Sequence, residues 1–285
     1  MIFVTGASGN VGKHVARELM RCGTPFRLGE HTAASLPVAD QGLPQTVRFD
    51  FLDASTYAPA VKGCSAVFLL RPPPIANTRK TLNVFIDAAR EAGVSQVVFV
   101  SVAGASRNPL VPHHAVEQHL RAGPPGWTIL QPSFFMQNLG DAYRQDIRDD
   151  KRLYVPAGGG SVAFLDARDL AEVAVMALLS PLAHIGKTYH LTGPDALSFA
   201  QVAQVLTREL RQHIEYKPAS VLGYAKHLHQ RGLPLAQIAV QTLLHLGLRF
   251  GQAQELVDVL ACLLERAPRR LASYVQDYRG LWTAH

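Results

Sequence analysis

No run of about eighteen or more apolar residues occurs in this chain, so a membrane-spanning helix is not expected. Cysteine is scarce: Cys22, Cys64 and Cys262 are the only three, and they lie far apart. An odd, scattered set of thiols makes neither a disulfide framework nor a metal site, and points to a cytoplasmic setting. Met1 runs straight into a strand-like segment, which leaves no room for a signal peptide. Long basic blocks are missing too. The formal net charge of +6 is dispersed, which suits an anionic cofactor better than a nucleic acid. The tail from Ser220 onward carries no repeat and no low-complexity tract. What the chain does have is apolar content, 48% of 285 residues, enough for one large α/β domain or one with an appended lobe.

Strand-like and helix-like patterns alternate through the first half. Apolar runs fall at 47–49, 66–70, 97–100 and 128–130, with helical patterns at 55–61, 78–92 and 114–122 between them. Gly23, Gly63 and Gly93 follow helices where a C′ glycine belongs. Buried strands separated by helices predict a doubly wound parallel sheet of the Rossmann type, with ligands beyond the carboxyl ends of the strands. After Asp150 the rhythm loosens into a strand at 162–165 and a helix at about 166–180. A capping box then opens at Ser198, and a mostly helical tail follows from Ser220. The expected division is a nucleotide-binding domain over 1–150 and a smaller, mainly helical lobe over 151–285, with some strands returning to the main sheet.

The first strand, Ile2-Phe3-Val4, leads into Thr5-Gly6-Ala7-Ser8-Gly9-Asn10-Val11-Gly12 and then into a helix patterned Val11, Val15, Leu19. Strand, glycine turn and helix N-terminus together make an anion site, because small residues let main-chain N–H groups approach a diphosphate. Thr5, Gly6, Ser8, Gly9, Asn10, Val11 and Gly12 are therefore candidate dinucleotide contacts. Glu30 ends the second strand, 24 residues beyond Gly6. A carboxylate there accepts from ribose hydroxyls and repels a 2′-phosphate, which favours NAD over NADP; His31 beside it softens that preference. Asp50 and Phe51 at the end of the third strand, Leu70 and Arg71 at the end of the fourth, Ser101 after the fifth and Pro132 after the sixth complete the candidate cofactor contacts. Asp53 reads as a helix N-cap.

These segments resemble the NmrA-like, atypical branch of the short-chain dehydrogenase/reductase superfamily over nearly the whole chain. The likeness rests on Thr5–Gly12, on Asp50-Phe51-Leu52-Asp53 with Ala60-Val61-Lys62-Gly63, and on Val98-Phe99-Val100-Ser101. It continues through Thr128–Leu139, Phe164–Ala171 and Tyr189–Pro194, and into Arg266-Ala267-Pro268-Arg269-Arg270. The resemblance implies an NAD(P)-binding domain with a substrate pocket under a C-terminal lobe. It also implies an activity among quinone, triphenylmethane-dye, azo or ergot-alkaloid iminium reductases, or else a non-catalytic redox sensor. Two departures bear on the nucleotide: His31, preceded by Glu30, stands where the family often has Arg, and Gln131 replaces the usual Arg before Pro132.

Typical members of the wider superfamily use a Tyr-x-x-x-Lys pair. Here His113 falls at the lysine place and Pro109 at the tyrosine place, so Ser101 alone survives from that constellation. Ketone reduction needs a positioned acid, whereas a delocalised, electron-poor acceptor does not. The expected activity is hydride transfer from NAD(P)H to a hydrophobic conjugated small molecule: a quinone, an iminium or a dye-like acceptor. The alternatives are a redox sensor and, more remotely, a non-redox isomerase or cyclase. His113 reads either as a general acid or ribose contact, or as a loop histidine capping its helix. Phe135 and Asn138 are candidate substrate contacts, with Tyr143 and Tyr224 as substitute proton donors, while Phe134 reads as core. His113, His114 and His119 do not share a helical face, so no metal site is expected. His227 and His229 read as surface residues. A monomer and a homodimer are both compatible with the sequence.

Overall fold

Apolar and amphipathic segments alternate from the first residue, and in the computed structural model that rhythm becomes a parallel sheet. The structure describes residues 1–31, 44–124 and 126–283. Fully apolar Ile2–Val4 is β1, followed by α1 (Gly12–Arg21), which buries Val15 and Leu19. Next come β2 (Phe26–Glu30), β3 (Gln45–Arg48) and α2 (Tyr57–Val61). A short turn of 3-10 helix before α2 is capped by Asp53, whose carboxylate accepts from the Ser55 N–H, as the sequence predicts. Then follow β4 (Ala66–Leu70), α3 (Leu82–Glu91), β5 (Gln96–Val100), α4 (Pro112–Ala122) and β6 (Trp127–Pro132). Gly23, Gly63 and Gly93 all have positive φ after their helices, as expected of C′ positions.

The chain continues through β7 (Phe134–Phe135), α5 (Arg144–Arg148), β8 (Arg152–Leu153) and β9 (Ser161–Leu165). It then forms α6 (Ala167–Leu179), α7 (Pro181–His184) and β10 (Lys187–Leu191). The remainder comprises β11 (Ala196–Ser198), α8 (Phe199–Leu210), β12 (Glu215–Tyr216), α9 (Val221–Gln230), α10 (Leu235–Arg249), α11 (Val259–Leu264) and α12 (Leu271–Asp277). Ser198 and Gln201 form the anticipated reciprocal capping box at the start of α8.

The chain divides into two units. The first, Met1–Pro132 with Ala167–Leu191, holds a seven-stranded sheet ordered β3-β2-β1-β4-β5-β6-β10, parallel throughout. The order reverses between β1 and β4, which is where a sheet of this kind opens a crevice at its carboxyl ends. One face is sealed by interlocked aromatic rings: Phe49 lies 4.7 Å from Phe51 and 4.9 Å from Phe85, edge to face. The second unit, Ser133–Asp166 with Thr192–His285, is built on a three-stranded sheet ordered β11-β9-β7 and a β12-β8 pair. Its core holds Phe164, Phe199, Tyr224, Tyr274 and Trp282, and the Trp282 indole donates to the Leu139 carbonyl at 3.0 Å.

The division therefore falls at residue 132, not at 150. Met136, Leu139, Tyr143, Ile147 and Leu153 bury themselves in the second unit's core. Ala167–Leu191 belongs to the first unit, because α6 packs beside α1 and β10 extends the sheet from β6.

Candidate functional site

The turn after β1 is held by contacts only glycine permits. Gly6 has φ +67°, and a Cβ there would sit 2.9 Å from Leu70 Cδ2. A Cβ on Gly12 would lie 2.1 Å from the Gly6 carbonyl oxygen. The Gly9 N–H closes the turn by donating to that same oxygen at 3.0 Å. The start of α1 is thereby pressed against the end of β1, where its N-terminal amides and dipole face whatever lies beyond the strand. Lys13 Nζ donates to Asn10 Oδ1 at 3.1 Å, which places a cation on the turn. A dinucleotide diphosphate fits this turn: the close approach excludes side chains at Gly6 and Gly12, and the Lys13 charge is complementary. The Thr5 hydroxyl is otherwise engaged. It donates to the Phe68 carbonyl and accepts from the Leu70 N–H, joining β1 to β4, so its place in the site is structural.

Glu30 ends β2 as expected. Asp50 accepts from the Leu52 N–H at 2.8 Å, and His31 Nδ1 lies 3.5 Å from its other oxygen. Phe51 is corrected. Its ring is 5% exposed within the aromatic cluster, and its carbonyl accepts from the Tyr57 hydroxyl, so the side chain offers nothing to a nucleotide. Pro132 likewise acts through its backbone, its carbonyl accepting from the Ala103 N–H at 3.0 Å.

Ser101 is also corrected. Its hydroxyl donates to Glu117, a fully buried carboxylate on α4. Gln131 donates to the same oxygen at 2.8 Å, while Arg121 donates to the other at 2.8 Å and reaches Thr188. The hydroxyl thus belongs to a network joining the end of β5, α4, β6 and β10, with its proton directed at Glu117. Sequence reading missed Glu117 as the centre of this network. Its four-residue spacing from Arg121 was visible, but the partners on two other strands were not.

His113, at the N-terminal end of α4, is 8% exposed and lies over Phe99. Arg71 Nε donates to its Nε2 at 3.3 Å, so the imidazole proton sits on Nδ1, where no described residue accepts it. Burial first and the Arg71 charge second push its pKa down to about 3. His113 is therefore held neutral, which weighs against its serving as an acid and leaves the ribose-contact reading in place. Arg71 also donates through Nη1 to the carbonyls of Pro72, Pro73 and Ile75. Burial lowers its pKa, yet a guanidinium stays charged.

In the second unit, Phe135 and Asn138 are half-buried, compatible with substrate contacts, whereas Phe134 packs against Phe164, Phe199 and His245 as core. The two tyrosine candidates are corrected. The Tyr143 hydroxyl donates to His245 Nε2, while His245 Nδ1 donates to the Gln241 carbonyl at 2.6 Å. Burial raises the pKa of both Tyr143 and Tyr224. Both are core anchors, 3% and 2% exposed, and unsuited to releasing a proton near neutrality. His227 is not a free surface residue either, since it and Arg231 both bind Asp146, at 2.9 and 2.7 Å.

Two surface recesses lie away from the glycine turn. One of about 440 Å³ is lined by Asn83, Asp87, His114 and His119, and one of about 480 Å³ by Asp150, Arg152, His227 and Arg231. Among the described residues no cluster of three His, Cys, Asp or Glu side chains could hold a metal. Among them, too, no helix is long and apolar enough to cross a membrane.

A family model described as NAD(P)H-binding matches residues 6–181. The NAD(P)H azoreductase of Xenophilus azovorans is 34% identical over 240 residues, covering 82% of each chain. The agroclavine dehydrogenase of Claviceps fusiformis is 29% identical over 296 residues, 99% of this chain and 98% of that protein. The solved triphenylmethane reductase of Citrobacter sp., complexed with NADP(H), matches with a TM-score of 0.85 over 97% of this chain and 99% of that one. At 23% identity that match speaks for the fold alone. The sheet order and glycine turn define a Rossmann-type fold, and the family model and relatives make the class that of NAD(P)H-dependent oxidoreductases. The chain belongs to the NAD(P)H-binding family, and the resemblance drawn from its motifs holds.

Proposed function

We propose that the protein reduces a hydrophobic, conjugated small molecule, with NADH as the favoured nucleotide. The observation that carries this reading is the glycine cradle at the sheet's reversal point, combined with the engagement of Ser101 by Glu117 and the neutrality of His113 among the described residues. The amides of Gly6–Gly12 would hold the diphosphate, with Ser8 and Asn10 at its edge; Asp50 would accept from the adenine amino group and Glu30 from the adenosine ribose. When bound, the nucleotide supplies a hydride. The remaining work falls to the chain's own groups. Ser101 is tied to Glu117 and His113 is neutral, so the acceptor has to tolerate hydride without concerted protonation. Quinones and other electron-poor conjugated acceptors do so.

Glu30 supports NADH because a carboxylate at the end of β2 opposes a 2′-phosphate. Titrating the protein with NADH and NADPH side by side, then following loss of near-ultraviolet absorbance with a panel of acceptors, tests both parts. Tighter binding of NADPH than NADH would overturn the nucleotide preference. Tight nucleotide binding with no turnover across quinones, azo compounds and dyes would overturn the reductase reading. That last result would favour a redox sensor, which the commitment of the Ser101 hydroxyl also suits.

A further inference from the structure

Arg71 stands immediately after β4, the strand across the sheet's reversal point from β1. Leu70, next to it, is the residue a Cβ on Gly6 would strike, so Arg71 leaves the sheet at the carboxyl end of β4, beside the glycine turn. Every acceptor bound to it is uncharged: the His113 ring and the carbonyls of Pro72, Pro73 and Ile75. Among the described residues no carboxylate pairs with it, although it is partly buried. A positive charge in that setting acts over several ångströms on whatever binds nearby. His113 meanwhile contributes a lone pair and no charge.

We propose that Arg71 is the specificity-determining charge of the acceptor site, selecting neutral acceptors that become anionic over acceptors that are already cations. This rests on the reductase reading above. A neutral quinone that receives a hydride gains its electron pair and becomes a hydroquinone monoanion, which then takes a proton from water. Negative charge grows as the hydride arrives, and a fixed guanidinium stabilises it. A triarylmethyl or iminium cation is repelled on binding instead.

The test compares equilibrium affinities of three aromatic probes for the NAD⁺-loaded protein, read by absorbance or fluorescence. The probes are 2-hydroxy-1,4-naphthoquinone (an anion at neutral pH), 2-methyl-1,4-naphthoquinone (neutral) and a triarylmethyl dye cation. The order expected is anion, neutral, cation, with about five- to tenfold between successive members, the effect of one unit charge in a half-buried site. Arg71→Met should erase most of that spread, and Arg71→Lys, which keeps the charge, should retain it. The ratio of kcat/KM for the quinone to that for the dye should fall in parallel in Arg71→Met. If Arg71→Met does not fold, the wild-type order and the Arg71→Lys result still decide. A wild-type protein that binds the three probes alike, or prefers the cation, overturns the proposal while leaving nucleotide binding intact. An Arg71→Met protein that loses nucleotide affinity but keeps the charge preference overturns it also, since Arg71 would then serve the dinucleotide.

Discussion

Replacing Gly12 with alanine tests the cradle most directly. The new Cβ would sit 2.1 Å from the Gly6 oxygen, 2.6 Å from its carbonyl carbon and 2.9 Å from Ala7 Cα. All three are backbone atoms, so no side chain can swing aside. Carbon contacts are comfortable near about 3.5 Å, so strand end and helix start must part by more than about an ångström. That movement breaks the Gly9 N–H bond that closes the turn. Overpacking of this kind costs about 1–3 kcal/mol of stability. Losing a hydrogen bond to a charged diphosphate costs binding about 1.5–3 kcal/mol, or roughly ten- to hundredfold in Kd. Two controls separate the effects. Gly9→Ala meets the Gly6 oxygen at 3.3 Å and needs only a small adjustment. Gly23→Ala has φ +62° in open space, so it should cost about 1 kcal/mol of stability and nothing in affinity. Thermal melts with calorimetric titration of NADH and NADPH give both quantities for each variant. A folded Gly12→Ala protein that binds either nucleotide within about threefold of the parent would refute the assignment of the cradle.

Glu117→Ala should destabilise by about 3–5 kcal/mol in urea denaturation, because Arg121, Gln131 and Ser101 lose a buried carboxylate together. Ser101→Ala should cost about 1.5–3 kcal/mol yet leave turnover within a few fold; a collapse of turnover with the fold intact would mean the hydroxyl reaches the substrate. Tyr143→Phe should lower stability by about 1–3 kcal/mol, by leaving His245 Nε2 unsatisfied, with KM and kcat unchanged. Burial, and then Arg71, holds His113 down at about 3, whereas an unfolded imidazole titrates near about 6.5, so the unfolded chain takes the proton first on acidification. Its stabilising contribution is complete above about pH 6.5 and is lost progressively toward about pH 3. The urea midpoint should therefore fall between pH 7 and 4.5, less steeply in His113→Leu, and equal slopes in the two proteins would count against the buried neutral histidine.

Much of this architecture is legible in the sequence, for local physical reasons. Val15 and Leu19 on α1, the capping box at Ser198, the cap at Asp53 and the C′ glycines are all set by neighbours within a few residues. The domain boundary was misplaced because the packing of Tyr143 and Ile147 depends on a core assembled from segments far along the chain. Of the chemical groups, the glycines were legible because φ and close approach restrict residue type. Ser101, Phe51, Tyr143 and Tyr224 were misjudged because a side chain's availability depends on partners that sequence spacing does not reveal.

By itself the sequence determined that a strand, a glycine turn and a helix N-terminus follow one another at residues 2–21. The tertiary structure alone decided which polar groups stay available to chemistry. Burial and long-range hydrogen bonds commit Ser101 to Glu117 and leave His113 uncharged beside a guanidinium without a carboxylate partner among the described residues. Those commitments arise from contacts across strands and helices distant in the chain, where desolvation and pairing, not residue type, set the state of each group.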